Sequence, residues 1–322
     1  MSTEILQFVR KFPKCKVLVV GDAMLDEYIE GTADRISPEA PIPVFLQKSL
    51  RHVPGGAGNV AGNVAALGAR VTLVGVAGKD ERAKILESAC RARGIRTRLI
   101  RDARPTTTKT RFVSGHHQLA RIDIEETSPI SSGANKLLIR AIRASLPADI
   151  IIVSDYGKGV VTKDVMAALK SLHGADAIVA DMKPANARHF RGIRAITPNL
   201  KESLEMTGID ATHDAGAKRA ARLIAARLKT SVVLTRGEHG VTALERESGE
   251  CAHVTSHVQS VKDVTGAGDT VIAVFALMLS AGASFMQAAR SANLAAGLVV
   301  AEPGTYALTH AKLKAELTSE SR

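Results

Sequence analysis

The chain has 322 residues, 45% of them hydrophobic but only 3% aromatic and with no Trp, enough for one large α/β domain, or a domain with an appendage, built on Val, Ile, Leu and Ala. Its net charge of +11 admits anionic small molecules, an acidic membrane face or nucleic acid. However, three Tyr and seven Phe are too few for the stacking platforms of a single-strand binder, and the basic residues are spread along helices (Arg91, Arg93, Arg140, Arg143, Arg219, Arg222).

Residues 1–16 lack an apolar core of signal-peptide length. Residues 17–20 read as a buried strand ending at Gly21-Asp22. Asp22 and Asp26 then flank Met24-Leu25, as either a cap and an exposed acid or a carboxylate pair that grips sugar hydroxyls. Residues 28–53 hold Pro38, Pro41 and Pro43, with Pro54 just beyond, and show no helical period. Gly55-Gly56-Ala57-Gly58-Asn59 is a glycine turn at a helix start, either a strained loop or a close approach to a ligand. Asn59 favours the second, because its amide offers donor and acceptor to a polyol. A helix over 57–67 stops at Gly68, 71–76 is a strand, and a helix over 81–93 stops at Gly94. Residues 106–124 read as a hairpin, with strands over 107–113 and 118–124 and a turn near Gly115-His116. Nothing is assigned to His116 and His117.

Residues 150–153 are a strand ending at Ser154-Asp155. Segments 163–172, 177–181, 200–207, 215–228 and 231–235 continue the alternation of helix and strand. Asn199 and Glu202 fall three apart at a helix start, as either a capping box or a hydrated magnesium site. Residues 235–240 are a turn between strands that needs no function, or a loop holding nucleotide phosphates. Helices over 270–280 and 284–301 close the pattern. The apolar stretch 271–283 is too short and too rich in small residues to span a bilayer. Three distant cysteines (Cys15, Cys90, Cys251) form neither a disulfide framework nor a zinc spacing, and the ten histidines show no ligand spacing. The expectation is a soluble, cytoplasmic α/β protein with a mostly parallel sheet covered on both faces. Residues 27–54 and 105–125 are expected to add a small β lid. Asp22, Asp155, Lys183, Asn199 and Arg236 all follow strand-like runs, which places them in one crevice.

Asp263-Val264-Thr265-Gly266-Ala267-Gly268-Asp269 is a glycine turn opening onto a helix, an anion-binding device. It is neither a Walker loop, which needs Lys-Ser or Lys-Thr where Asp269-Thr270 stands, nor a dinucleotide fingerprint, since Val271 replaces the third glycine. Asp269 either caps the helix or accepts the proton of a hydroxyl that attacks the phosphate.

Together, in this order, these elements resemble the ribokinase-like, or PfkB, sugar kinases over residues 17 to about 305. The two signatures are Gly55–Ala61 and Asp263–Asp269, about 200 residues apart. Within the family the likeness is to the heptose 7-phosphate kinases of lipopolysaccharide core synthesis, in their stand-alone form. It rests on Gly21–Asp26, Arg35–Val44, Gln118–Asp123 and Ser154–Gly159. Asp181-Met182-Lys183-Pro184 departs from the family's more frequent Asp-Pro-Lys-Gly.

The resemblance implies a single kinase domain over 1–322 that phosphorylates D-glycero-D-manno-heptose 7-phosphate at its anomeric hydroxyl with ATP. A ribokinase-like kinase for another sugar or sugar phosphate is the alternative. Asp269 matches the catalytic base. Gly266, Ala267 and Gly268 match the anion hole. Lys183, Asn199, Lys201, Glu202, Thr235, Arg236, Gly237, Gly240 and Asp263 are placed around ATP, with Mg²⁺ reached indirectly through Asn199 and Glu202. Asp22, Asp26, Gly55, Gly56, Asn59 and Asp155 are placed on the sugar, and Arg35, Lys109, Arg111, Arg121 and Lys158 are candidates for its phosphate. A monovalent cation and a homodimer formed through the lid complete the expectation, with no nucleic acid and no membrane partner.

Overall fold

A computed structural model describes residues 2–115, 117–256, 261–302 and 306–319. His116 of the expected hairpin turn and Thr305 near the end of the resemblance lie outside the described residues. Among these residues thirteen strands form two sheets. In chain order they are β1 (Lys16–Gly21), β2 (Ala23–Ile36), β3 (Pro43–Gly56), β4 (Arg70–Ala77), β5 (Arg96–Arg101), β6 (Thr108–Ser114), β7 (His117–Ile124), β8 (Ile150–Ser154), β9 (Ile178–Asp181), β10 (Ala195–Ile196), β11 (Ser231–Thr235), β12 (Val241–Leu244) and β13 (Cys251–Val254).

The larger sheet runs β13-β12-β11-β10-β9-β8-β1-β4-β5. It is parallel from β5 to β11 and antiparallel at β12 and β13. Side chains of a strand alternate between faces. Val17 and Val19 of β1 therefore join one core while Leu18 and Val20 join the other, and Ile150 and Ile152 of β8 part from Ile151 and Val153 in the same way. Helices Ala57–Ala66, Glu81–Ala92, Ala267–Ser280 and Phe285–Val300 cover the first face. Helices Ser132–Arg143, Lys163–His173, Leu200–Thr207 and Asp214–Leu228 cover the second. No helix among the described residues is long and apolar enough to cross a membrane.

The smaller sheet runs β3-β2-β6-β7, with β2 and β6 parallel and the outer pairs antiparallel. It grows directly from β1, since only Asp22 separates β1 from β2. It therefore stands at the carboxyl end of the large sheet, where crevices of such sheets form.

The structure adds elements that the residue pattern did not announce. β5 is an edge strand, largely half-exposed and rich in arginine, so it lacks an apolar run. β10 has two residues, too few to show a period. Helix Ser132–Arg143 buries only Ala134, Leu138 and Ile142. The helix after the glycine turn starts at Ala267 rather than at residue 270, which puts Asp269 inside its first turn.

Gly21 ends β1 where a Cβ would lie 1.9 Å from the carbonyl oxygen of Ser154 on β8. Backbone lies on both sides of that contact, so no side chain can yield. Gly21→Ala is expected to destabilise the fold by about 3 kcal/mol, as overpacking does, read as a lower urea midpoint at unchanged slope. A midpoint equal to that of the unsubstituted chain would show that the two strand ends part freely.

Candidate active site

Gly266 adopts φ +83° and caps helix Ala267–Ser280. The N–H groups of Gly268 and Asp269 have no acceptor among the described residues, so the helix start offers donors and the positive end of its dipole to an anion. Asp269 is 7% exposed. Its Oδ2 accepts from Asn59 Nδ2 at 2.6 Å and its Oδ1 from the Tyr156 hydroxyl at 2.7 Å. Asn63, one turn after Asn59, accepts from Thr270 Oγ1 at 3.1 Å and donates to the Asn59 carbonyl at 3.0 Å. The two glycine turns thus meet, and their helices are tied by side chains on facing turns.

Burial raises the Asp269 carboxyl to about 6, the donors Asn59 and Tyr156 oppose that rise, Asp26 adds to it and Lys183 offsets it. The usual value is 3.8, so holding this group ionised at neutral pH costs about 3 kcal/mol of folding stability. That stability is intact below about pH 4 and is lost as pH rises through about 6.

On one side of Gly268 lies a cavity of about 620 Å³. Asn199, Lys201, Thr235, Gly237, Gly240, Ala267 and Gly268 line it, as placed around ATP from the sequence, together with Val241, Val261, Val264, Val271 and Val300. An apolar slot with a polar mouth suits a flat heterocycle carrying phosphates. Arg236 does not belong to it. The guanidinium is 3% exposed and donates to the carbonyls of Ala211 and Thr212, to Asp214 and to Thr242, so it braces the 211–214 segment. Asp263 accepts the N–H of Thr265 within the glycine turn at 2.8 Å.

Asn199 and Glu202 form the capping box, and Glu202 Oε1 also accepts from Lys183 Nζ at 2.6 Å. Beside them Asp181, at the end of β9, is held well above the usual carboxylate range by burial and by the charges of Glu202 and Asp269. Sequence reasoning missed Asp181, although its place at the end of a strand is where crevice groups of such sheets collect. Among the described residues no three His, Cys, Asp or Glu side chains could cage a metal. Asp155, Asp181, Glu202 and Asp269 nevertheless crowd the Lys183 cation. That surplus of negative charge fits Mg²⁺, which keeps its waters and needs few direct carboxylates beside phosphates. Asp181 and Glu202 are the residues that would hold it through water.

On the other side of Asp269 stands the small sheet. Arg111 on β6 pairs with Asp26 on β2 at 2.7 Å. Lys109 reaches Asp123 at 2.8 Å and Glu125 at 3.4 Å, Lys158 reaches Glu125 at 2.7 Å, and Arg121 pairs with Asp123 at 2.8 Å. Four cations thus share three carboxylates, which leaves positive charge in excess. Arg35 lies at the exposed far end of β2, paired with Val44.

Four residues placed on the sugar have other work. Asp22 is 1% exposed and accepts the N–H groups of Tyr156, Lys158 and Val160 at 2.7, 3.1 and 3.2 Å. Such bonds lower a carboxyl, yet burial and the nearby Asp155 win and raise it to about 6. Asp155 accepts from the N–H of Gly157 at 2.8 Å and from Asn186 Nδ2 at 2.9 Å. Both carboxylates clamp backbone. At Gly55 a Cβ would lie 2.3 Å from Asp26 Oδ2, and at Gly56, with φ +55°, one would lie 2.5 Å from the Asp22 carbonyl. These glycines make room for the chain's own groups. The part of Tyr156 is not legible in the sequence: a lone Tyr two residues past a strand carries no signal of the carboxylate it meets.

Residues 14–312 match the model described as pfkB family carbohydrate kinase. "Bifunctional protein HldE" of Desulfatibacillum aliphaticivorans is 40% identical, over 97% of this chain and 65% of its own length. The protein of that name from Nitrobacter hamburgensis is 45% identical, over 94% and 63%. The chain therefore spans a little under two thirds of these relatives. Among solved structures, the tetrameric inhibited form of phosphofructokinase-2 from Escherichia coli matches at TM-score 0.78 and 18% identity, over 96% of this chain and 100% of that one. The ribokinase of Arabidopsis thaliana complexed with ribose and ATP matches at 0.71 and 20%, over 94% and 98%. The fold is ribokinase-like.

Asp269 is expected to titrate near pH 6, above an exposed aspartate. Carboxyl ¹³C NMR across pH 3–8, assigned with Asp269→Asn, measures this, and a midpoint near 4 would remove the basis for an apolar, braced base.

Proposed function

This chain belongs to the pfkB family of carbohydrate kinases, and we propose that it transfers a phosphoryl group from ATP to the anomeric hydroxyl of D-glycero-D-manno-heptose 7-phosphate. The products are the 1,7-bisphosphate and ADP, within lipopolysaccharide core synthesis. That it is an ATP-dependent carbohydrate kinase follows from the family. The choice of sugar is supported by the segments 35–44 and 154–159 and by the gathering of Arg111, Lys109, Arg121 and Lys158 around Asp26, Asp123 and Glu125, which suits an acceptor that already carries a phosphate.

The observation that carries the reading is the Asp269 carboxylate, braced at the helix start between the cavity and the basic sheet. Phosphoryl transfer has a loose transition state, so positioning and charge neutralisation do most of the work. In this reading the base of ATP lies in the apolar slot. Asn199, Lys201, Thr235, Gly237 and Gly240 border its phosphates; through water, Glu202 and Asp181 would hold Mg²⁺, which would supply positive charge to those phosphates. The sugar lies over Asp26 and the Asn59 amide carbonyl, which has no donor among the described residues. Its phosphate meets Arg111, Lys109, Arg121 and Lys158, displacing part of the carboxylate partnership they now have. Asp269 takes the anomeric proton as that oxygen bonds to the γ-phosphorus and the bond to ADP breaks. The N–H groups of Gly268 and Asp269 hold the oxygens of the group in flight.

The same reading makes one kinase domain with the small sheet as its lid. Ile36, Ile42, Leu46, Leu50, Leu119 and Ile122, each between 45% and 65% exposed, crowd that sheet and support a homodimer formed through it. A monovalent cation is supported by a solved phosphofructokinase-2 in complex with potassium. The cytoplasm is the place of action, where ATP is supplied.

Asp269→Asn is expected to lower kcat by on the order of 10²–10⁴ while ATP binding survives; near-normal turnover would refute the base. Arg111→Ala is expected to raise KM for the phosphosugar about tenfold or more and to leave KM for ATP nearly unchanged. A panel of heptose 7-phosphate, fructose 6-phosphate and ribose, read by ADP release, tests the substrate, and a higher kcat/KM for either of the last two would replace it.

A further inference from the structure

The loop from Asp155 to Val160 is held more tightly than a surface connection requires. Asp22 takes three of its N–H groups and Asp155 a fourth, that of Gly157. The Gly159 carbonyl accepts the N–H of Ile130 at 3.1 Å. Gly157 and Gly159 adopt φ +69° and +81°, and at Gly159 a Cβ would lie 1.9 Å from the carbonyl oxygen of Ser128. Buried carboxylates and left-handed glycines thus fix one segment, and the side chain so aimed is Tyr156.

The Tyr156 hydroxyl donates to Asp269 Oδ1 at 2.7 Å, while Lys183 Nζ stands 5.7 Å from the centre of its ring, within reach of a cation–π attraction. Phenol and carboxylate cannot both be ionised at this distance. The phenol is pushed well above 10 by burial and by Asp269, with Asp181 and Asp26 adding to it, so Tyr156 is a donor only. The charged groups facing Asp269 are Asp26 from β2, Asp181 from β9 and Lys183 just beyond it.

We propose that Tyr156 is the positioning residue of the transfer: it fixes the rotation of the Asp269 carboxylate against Asn59 and keeps it ionised, and the clamped 155–160 loop exists to place it. The inference rests on Asp269 being the base. It assigns a role in this reaction to Tyr156 of the Ser154–Gly159 motif, beside Asp155 and Lys158, from which the sequence led one to expect substrate contacts.

Tyr156→Phe keeps the ring and removes one hydrogen bond to a charged acceptor, an interaction strong enough to move a carboxyl by about one pH unit. The acid limb of kcat/KM, and the Asp269 carboxyl signal in ¹³C NMR, are expected to move up by that amount. At pH 7.5 kcat is expected to fall roughly 10–100-fold while KM for ATP changes less than twofold. In an Asp269→Asn background the second substitution is expected to add nothing, because Tyr156 acts through that carboxylate. A fluorotyrosine at position 156, a stronger donor, is expected to move the limb down and covers the case in which the phenylalanine variant folds poorly. Superimposable pH profiles for both variants, or an equal further loss in the Asp269→Asn background, would overturn the proposal. If instead Asp269→Asn itself turns over normally, the fault lies with the base and not with Tyr156.

Discussion

The site is organised by one buried carboxylate that belongs to the start of one helix and is held by residues from two other places in the chain. Asn59 comes from the helix after β3, and Tyr156 from the loop after β8. A carboxylate so desolvated would prefer to be neutral. Two donors keep it ionised near neutrality, and the residual cost is stability that the two large cores must supply. In the proposed reaction that cost would also be the use of the group, since a raised carboxyl is a better proton acceptor for a sugar hydroxyl than an exposed aspartate.

Around that point the charges sort by sign. Carboxylates gather at the ends of β8 and β9 and at the start of helix Leu200–Thr207, with Lys183 among them. Cations gather on β6 and β7 and at Lys158. One half is short of positive charge, as a place for a magnesium nucleotide is, and the other has it in excess, as a place for a second phosphate is. The cations are not idle in the meantime. Each is paired, which keeps the small sheet from repelling itself, and a phosphate would have to outbid Asp26, Asp123 and Glu125. Bidentate phosphate contacts to arginine make that exchange reasonable.

Two parts of the candidate site turned out to be framework. Asp22 and Asp155 look in the sequence like crevice carboxylates, and they do sit at strand ends. Their oxygens are nevertheless taken by backbone N–H groups. Arg236 follows a strand in the same way and is consumed by carbonyls. Position after a strand brings a residue to the crevice, but it does not say which way the side chain turns.

The alternation of apolar runs and helix periods determined the parallel sheet and its two covers, because burial on both faces leaves that pattern in any chain. The glycine turn at 263–269 determined a helix start with open N–H groups and an acid in its first turn, because only backbone freedom and a helix start are needed, and both are local. Edge strand β5 and the two-residue β10 left no trace, since neither has enough buried positions to make a period. Which carboxylates stay open, which cations are paired, and that a tyrosine more than a hundred residues away braces Asp269 were decided only by tertiary structure. Those are distances between side chains remote in sequence, and no local preference encodes a distance.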